Sequence, residues 1–300
     1  MSQSYQMMHP SYMYTSESVP KIPVRESYAA TPQQRFHPQV KIEPHPKVWL
    51  NHFWNAVHVL AVTYNPTDEN VRNSFACFYQ SMAGILPTAE AKKIMNDFIA
   101  MPRDVLKVLV ESKALSSFFT VHRDIYQALT SRPGDFFTFS LTNSDSLFAW
   151  TYLLHAYYNL LTGTPVESFN NIKVMYERSQ ISKETWGNPL WAMIHFCALY
   201  APDILDKYCC TCYKAFISCL RYVLPCPRCR AHLEENLGSI DIDNYLFTKD
   251  SLFEYSVKLH NLVNGQVGKP SITIEEARKI YSPHTQPIMQ QNANFSNFSF

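Results

Sequence analysis

The chain has 300 residues, 46% of them hydrophobic and 14% aromatic, with a formal net charge of +1. That length exceeds one small bundle and admits one large or two modest domains. The near-neutral charge argues against nucleic acid or an anionic membrane surface as a partner, and no apolar run is long enough for a membrane span. Only seven glycines occur beside 19 Phe and 18 Tyr, a balance of few turn formers and many bulky side chains that predicts an all-α fold of helices packed on helices.

Residues 1–46 carry seven prolines among scattered Tyr, Gln, Ser and His, and read as a disordered Pro-rich arm. The start, Met1 to Pro10, lacks the basic-then-apolar build of a signal peptide, so an intracellular protein is expected. Val40-Lys41-Ile42-Glu43 is a short match to a modification site. Residues 282–300 form a Gln/Asn/Ser/Phe tail, predicted disordered, whose Asn-x-Ser matches at Asn294 and Asn297 mean little without a secretory route.

Between the arms the chain repeats itself. Trp54-x3-His58-x2-Ala61-x2-Tyr64 parallels Trp191-x3-His195-x2-Ala198-x-Tyr200, and Leu86-Pro87 parallels Leu224-Pro225. Leu147, Phe148, Leu154, His155, Asn159, Gly163, Pro165 and Tyr176 each recur 105 residues later, as Leu252, Phe253, Leu259, His260, Asn264, Gly268, Pro270 and Tyr281. Identities at constant spacing predict an internal duplication, with copies at 47–180 and 181–281 packed as an internal pseudo-dimer. The first copy has Thr88 and Ala91 where the second has Cys226 and Cys229, and Ala156 where the second has Asn261. It also carries extra sequence between Pro87 and His155. The first copy therefore reads as a scaffold without chemistry.

In the second copy Trp191, His195 and Ala198 share one helix face, with Pro202 ending that helix. Further helices are predicted over Asp203–Val223, Cys226–Leu237 and Ser251–Val267, with Pro225 suited to a helix start, Ser251 to a cap and Gly268 to a stop. Seven of the eight cysteines fall within residues 197–229, which in an intracellular protein points to metal or redox chemistry. Cys226 and Cys229, three apart at a helix start beside Arg228 and Arg230, suit a dithiol–disulfide couple with a stabilised thiolate. Trp191 offers a stacking plane, while His195, His260, Asn261 and Asn264 offer donors and acceptors and Lys269 could meet a phosphate.

These residues resemble the FAD-linked sulfhydryl oxidases of the Erv/ALR type. The resemblance is carried by Gly187-x3-Trp191-x3-His195-x4-Tyr200, Pro225-Cys226-x2-Cys229-x2-His232 and Leu259-His260-Asn261-x-Val263-Asn264 with Gly268-Lys269-Pro270, over roughly residues 186–281. It implies a four-helix bundle holding FAD that oxidises dithiols in protein substrates and reduces oxygen to hydrogen peroxide. It implies also that Cys229 lies next to the flavin and Cys226 exchanges with substrate. Trp191, His195, Tyr200, His232, His260, Asn261, Val263, Asn264 and Lys269 carry over as FAD contacts, and Tyr255 stands where the family usually has Trp. An inactive copy before an active one resembles quiescin-type oxidases and, more nearly, those of large insect DNA viruses, because no thioredoxin-like segment precedes the repeats. A viral protein of this type would work in the host cytoplasm or nucleus or in the virion, and a homodimer beyond the internal pair is compatible with the family.

The pattern also departs from the family. No cysteine follows Cys229, and neither arm holds a mobile shuttle pair, which leaves Cys209 and Cys212 as the clustered candidates for a shuttle. Direct attack of substrate thiols on Cys226–Cys229 is the preferred expectation. Two other readings stay open from the residues alone. One is a zinc-stapled interaction module recruiting Cys226, Cys229, His232 and Cys212. The other is a helical virion or scaffold protein with idle thiols. Cys77, Cys197 and Cys219 read as buried small hydrophobes.

Overall fold

The structure, a computed structural model, describes residues 43–177 and 181–282. The Pro-rich arm before Glu43, with most of the Val40–Glu43 motif, and the tail from 283, with Asn294 and Asn297, lie outside the described residues. The arm's last residues are ordered onto the protein. His45 caps the first helix, taking Lys47 N at 3.2 Å on Nδ1, and the Glu43 carboxylate accepts from Ala89 N at 2.9 Å. A buried Pro44 lies between them.

The described residues form helices and turns with a single isolated backbone bridge, between Ile204 and Thr248. In chain order the helices are α1 (Pro46–Val62), α2 (Glu69–Ile85), α3 (Ala89–Ala100), α4 (Arg103–Val110), α5 (Ser116–Val121), α6 (Arg123–Ser131), α7 (Phe136–Ser140), α8 (Ser144–Thr162), α9 (Phe169–Glu177), α10 (Lys183–Leu199), α11 (Lys207–Val223), α12 (Pro227–Ser239), α13 (Lys249–Val267) and α14 (Ile274–Tyr281).

Local chemistry sets these boundaries. Leu86 and Leu224 precede prolines, which disfavours helical backbone, and both are extended at ψ 148° and 135°, ending α2 and α11. The α11 helix starts at Lys207 rather than Asp203 because the Asp206 carboxylate accepts from Cys209 N at 2.7 Å. Similarly α13 starts two residues before Ser251. Thr248 is its cap, and Ser251 closes a reciprocal capping box. Gly163 and Gly268 end α8 and α13 at φ 69° and 72°, a left-handed conformation that costs other residues a Cβ clash.

Two sets of five helices follow one order. Helices α1, α2, α3, α8 and α9 make the first; α10 to α14 make the second. The short α4–α7 run, inserted between α3 and α8, accounts for the extra sequence in the first half. The sets pack α1 on α10 and α2 on α11, with Phe78 and Phe216 stacked across the α2–α11 contact at 5.1 Å and 19°. The core runs continuously through both.

Where α2 meets α11 there is no room for a side chain at Gly84, since a Cβ there would lie 2.4 Å from Cys212 Sγ and 2.8 Å from its Cβ. The close approach of these helices depends on it. Gly84→Ala should therefore lower stability by about 1–3 kcal/mol through overpacking, despite alanine's better helix propensity, and C212A should recover part of that loss. Urea denaturation of the single and double variants checks this; an unchanged midpoint in Gly84→Ala would show the interface to be looser than described.

Candidate active site

The N-terminal half of α10, the end of α11, the start of α12 and the C-terminal half of α13 enclose a cavity of about 300 Å³. Its position follows from helix registers. Gly187, Leu190, Trp191 and Ile194 on α10 repeat at three and four residues, as do His260, Val263, Asn264 and Val267 on α13. Leu220, Leu224 and Leu233 add apolar wall, and Lys183, Glu184, Arg228 and Lys269 add charge with an excess of cations. A mostly apolar cavity of this size with few convergent polar groups suits a small-molecule ligand.

One wall is an aromatic plane. Trp191 and His260 stack with centroids 4.1 Å apart and planes within 5°. Behind His260 the buried His195 places Nε2 2.9 Å from His260 Nδ1, while its own Nδ1 lies 2.9 Å from Ser256 Oγ. Tyr281 of α14 packs on His195 at 4.7 Å. Burial holds His195 well below the usual histidine pKa, with the His260 charge a further cause. Burial, and then the Lys269 charge, lowers His260 to about 4. Both rings are neutral at pH 7.

Another wall is sulfur. Cys226 and Cys229 are joined as a disulfide, with Cα atoms 5.1 Å apart. Cys226 is the N-cap of α12 and its Sγ accepts from Cys229 N at 3.2 Å. A helix N-terminus favours thiolate over thiol. Cys229 lines the cavity and Cys226 does not, so the two half-buried sulfurs face different surroundings.

Of the residues singled out from the sequence, Trp191, His232, His260, Val263, Asn264, Lys269 and Cys229 converge on this cavity. The others do not line it. His195 lies one layer deeper, behind His260. Tyr200 sits at the far end of α10, its hydroxyl 3.4 Å from Tyr281 O. Five residues before His260 on a helix is about 140° around the axis, and Tyr255 is accordingly buried in the core beside Tyr245, at 5.5 Å. Asn261 spends its side chain on backbone: Nδ2 donates to Ile272 O at 2.8 Å and Oδ1 accepts from Ile272 N at 3.0 Å. Its role is to clip the loop after α13, with Asn264 Nδ2 donating to Pro270 O at 3.3 Å beside it.

The shuttle expected of Cys209 and Cys212 meets a geometric obstacle. Both are buried in the first turns of α11, whereas Cys226 follows its last turn, roughly 20 Å away at 1.5 Å per residue. Burial pushes the Cys209 thiol up to about 12 and the Cys212 thiol to about 11, so neither is a nucleophile at neutral pH. The same distance removes Cys212 from the zinc set, and among the described residues no three His, Cys, Asp or Glu side chains converge as metal ligands. Sequence reasoning missed the cavity residues Lys183, Trp186, Leu190, Ile194 and Arg228 as site residues. Spacings of three and four from Trp191 reach Ile194 and Gly187, and Leu190 stands three after Gly187 and four before Ile194.

The first bundle repeats the histidine arrangement without the cavity. Trp54 and His155 stack at 4.0 Å and 10°, His58 Nε2 lies 3.2 Å from His155 Nδ1, and His58 Nδ1 lies 3.0 Å from Thr151 Oγ1. The space beside Trp54, however, shrinks to about 10 Å³ among Leu50, Phe53, Ile94, Met95 and Tyr158.

Residues 188–282 match the Erv1 / Alr family. A probable FAD-linked sulfhydryl oxidase of Acanthamoeba polyphaga mimivirus is 29% identical over 116 residues, which is 38% of this chain and 81% of the relative. A putative FAD-linked sulfhydryl oxidase of Invertebrate iridescent virus 3 is 27% identical over 108 residues, 36% of this chain and 71% of the relative. One of Frog virus 3 is 30% identical over 74 residues, 25% of this chain and 49% of the relative. No solved structure matches the chain.

The buried neutral histidines make stability pH-dependent with a definite sign. A folded-state pKa below the unfolded value of about 6.5 means that the unfolded chain binds more protons in acid, so stability is fully present above pH 6.5 and falls as pH drops toward 4. His260 alone should cost about 2 kcal/mol by pH 5. Urea unfolding at pH 7 and pH 5 tests this, and H260Q should flatten the difference; equal stability at both pH values would contradict the neutral pair.

Proposed function

We propose that this chain, whose residues 188–282 form an Erv1/Alr-type domain, is an FAD-dependent thiol oxidase that makes disulfides in protein substrates through Cys226–Cys229. The observation that carries the reading is that Cys229 shares one cavity with the Trp191–His260 plane. The residues fit the cofactor. Trp191 and His260 offer a flat aromatic surface, Val263 and the leucines an apolar one, and Lys183, Arg228 and Lys269 cationic partners for a pyrophosphate. His232 and Asn264 complete the binding set. Bound FAD supplies a two-electron acceptor for a dithiol and a route for those electrons to oxygen, giving hydrogen peroxide.

The chain's own residues perform the thiol exchange. A substrate thiolate attacks Cys226 Sγ, the sulfur outside the cavity, breaking the Cys226–Cys229 bond and leaving Cys229 as thiolate. The second substrate thiol, losing its proton, attacks the substrate sulfur of this mixed disulfide. Cys226 leaves as thiolate at the α12 N-terminus, and the substrate departs as a disulfide. Two electrons then reside on the Cys226/Cys229 pair, with Cys229 on the cavity wall, where a bound cofactor would supply the acceptor needed to re-form the disulfide. Arg228 and Arg230 favour thiolate at both sulfurs. No shuttle pair is needed.

The first bundle is a duplicate that has lost the site, held against the second as an internal pseudo-dimer. Ala91 takes the position of Cys229 at the same offset as Leu86 and Leu224, and Leu50, Phe53 and Tyr158 fill the space that Gly187, Leu190 and Val263 leave open. Its retained Trp54, His58 and His155 keep the fold.

Cys229→Ser should purify yellow yet lose dithiol-dependent oxygen uptake, while Cys209→Ser with Cys212→Ser should keep it within about twofold. Oxygen-electrode assays with a dithiol decide the matter, and full activity in Cys229→Ser would overturn the mechanism. A Cβ at Gly187 meets nothing within 4 Å, so a larger side chain can enter the cavity without backbone strain. Gly187→Leu, which installs the side chain of Leu50, should fold normally but weaken FAD binding by roughly tenfold or more, about 1.4 kcal/mol. Flavin absorbance after gel filtration and fluorescence titration measure it, and undiminished binding would place the cofactor elsewhere.

A further inference from the structure

Cys77 and Cys219 are buried thiols that the exchange mechanism does not use. They stand in different bundles, on α2 and α11, and the register of the α2–α11 seam brings them together. Gly84 lies against Cys212, where a Cβ on the glycine would stand 2.8 Å from that of the cysteine. Seven residues back along α2 is Cys77, and seven forward along α11 is Cys219. Seven residues are about two helical turns, so each cysteine shares the helix face that makes the Gly84–Cys212 contact. The Phe78–Phe216 stack has the same antiparallel sense. At this level the two cysteine side chains hydrogen-bond to one another across the seam.

A disulfide needs Cβ atoms about 3.5–4.5 Å apart. Two turns away, at Gly84, the helices already approach more closely than that, so a bond between the facing sulfurs asks for little backbone movement. The sulfurs are also chemically unequal. The hydrogen bond from Cys219, opposed by burial, holds the Cys77 thiol below its ordinary pKa, while the same bond and then burial raise that of Cys219. Cys77 is therefore the sulfur that more readily gives a thiolate, and Cys219 is the neighbour placed to resolve it. A bond between them would close a loop of about 140 residues in the unfolded chain, a strong constraint on unfolding, and would fasten one bundle to the other.

We propose that Cys77 and Cys219 are a second redox pair, a dithiol that hydrogen peroxide oxidises to a disulfide joining the two bundles. The Cys77 thiolate attacks one peroxide oxygen and the O–O bond breaks. Hydroxide leaves and takes up the thiol's proton as water, and Cys77 becomes a sulfenic acid. Cys219 Sγ then attacks Cys77 Sγ; the S–O bond breaks, and the hydroxyl leaves with the Cys219 proton as a second water. Two thiols have lost two electrons and two protons, and one peroxide has become two waters. Burial makes the first step slow and favours a small neutral oxidant, which enters through local opening of the seam, over a protein disulfide. The thiol-oxidase reading supplies the peroxide; the pairing of the two sulfurs does not rest on it.

The test is a map of cysteine fates in the full chain after reduction, removal of the reductant and treatment with hydrogen peroxide. Trypsin, used without reduction after alkylation, releases residues 73–92 with Cys77 as their one cysteine and residues 215–221 with Cys219 as theirs, so a linked pair of these peptides identifies the bond without ambiguity. That pair should be the main product at both cysteines, should vanish with dithiothreitol, and should be absent from Cys77→Ser and from Cys219→Ser. Peroxide should also raise the urea midpoint of the wild type by roughly 1 M or more, a shift that both variants lose. Recovery of Cys77 and Cys219 as separate alkylated peptides overturns the proposal, and so does sulfinic acid at Cys77 without a link, or a link from Cys77 to residues 208–214, which carry Cys209, Cys210 and Cys212. The wild-type map alone decides this even where a variant fails to fold. In Cys229→Ser, added peroxide should still form the bond. Failure of the wild type to make peroxide from a dithiol would sink the oxidase reading, while the map with added peroxide would still decide the pair.

Discussion

The site depends on a meeting of two unlike surfaces, a half-buried disulfide and a stacked Trp–His pair, across one cavity. Neither does much alone. The Cys226–Cys229 pair sits at the start of α12, just after the turn from α11, while Trp191 and His260 stand on α10 and α13, and only the packing of all four helices brings sulfur and aromatic plane to one cavity. The asymmetry between the sulfurs follows. Cys226 ends the turn as the cap of α12, and Cys229, one helical turn on, is carried inward. An exchange reaction needs such an arrangement, with one sulfur reachable by a protein substrate and the other by a cofactor.

The two bundles share a helix order and differ in whether a cavity opens beside the Trp–His stack. Trp–His stacks, His–His hydrogen bonds, the hydroxyl behind them and the glycine-ended long helix are alike in both. These features hold helices together in both bundles, whether or not a cavity lies beside them. The difference is volume. Leucine, phenylalanine and tyrosine in one bundle stand where glycine, leucine and valine stand in the other, and burying those larger apolar groups stabilises the filled bundle. An open cavity is the costly state, because its walls forgo contacts until a ligand supplies them.

The cysteine crowding has a correspondingly plain explanation. Cys197, Cys209, Cys212 and Cys219 lie on the buried faces of α10 and α11, where a small apolar side chain permits close helix approach; Cys212 against Gly84 is the clearest case. Burial raises the pKa of Cys197, Cys209 and Cys212, and a hydrogen bond with Cys77 followed by burial raises that of Cys219, which keeps these thiols protonated at neutral pH. The Cys226–Cys229 pair combines partial exposure with the N-terminal dipole of α12, as exchange requires.

Periodicity and motif spacing made the helices, the Leu-Pro breaks, the Cys226–Cys229 pair and part of the cavity lining legible in the sequence, because helix registers and proline stops are local properties. The sequence could not say that Asn261 would be consumed by the backbone of Ile272, that Tyr255 would turn into the core, or that Cys209 and Cys212 would lie a helix length from Cys226. Nor could it bring Lys183 and Arg228 to one cavity. Those outcomes depend on which face each helix turns toward its neighbours and on what lies opposite. Long-range packing fixes both, and a residue's type at a matching position does not.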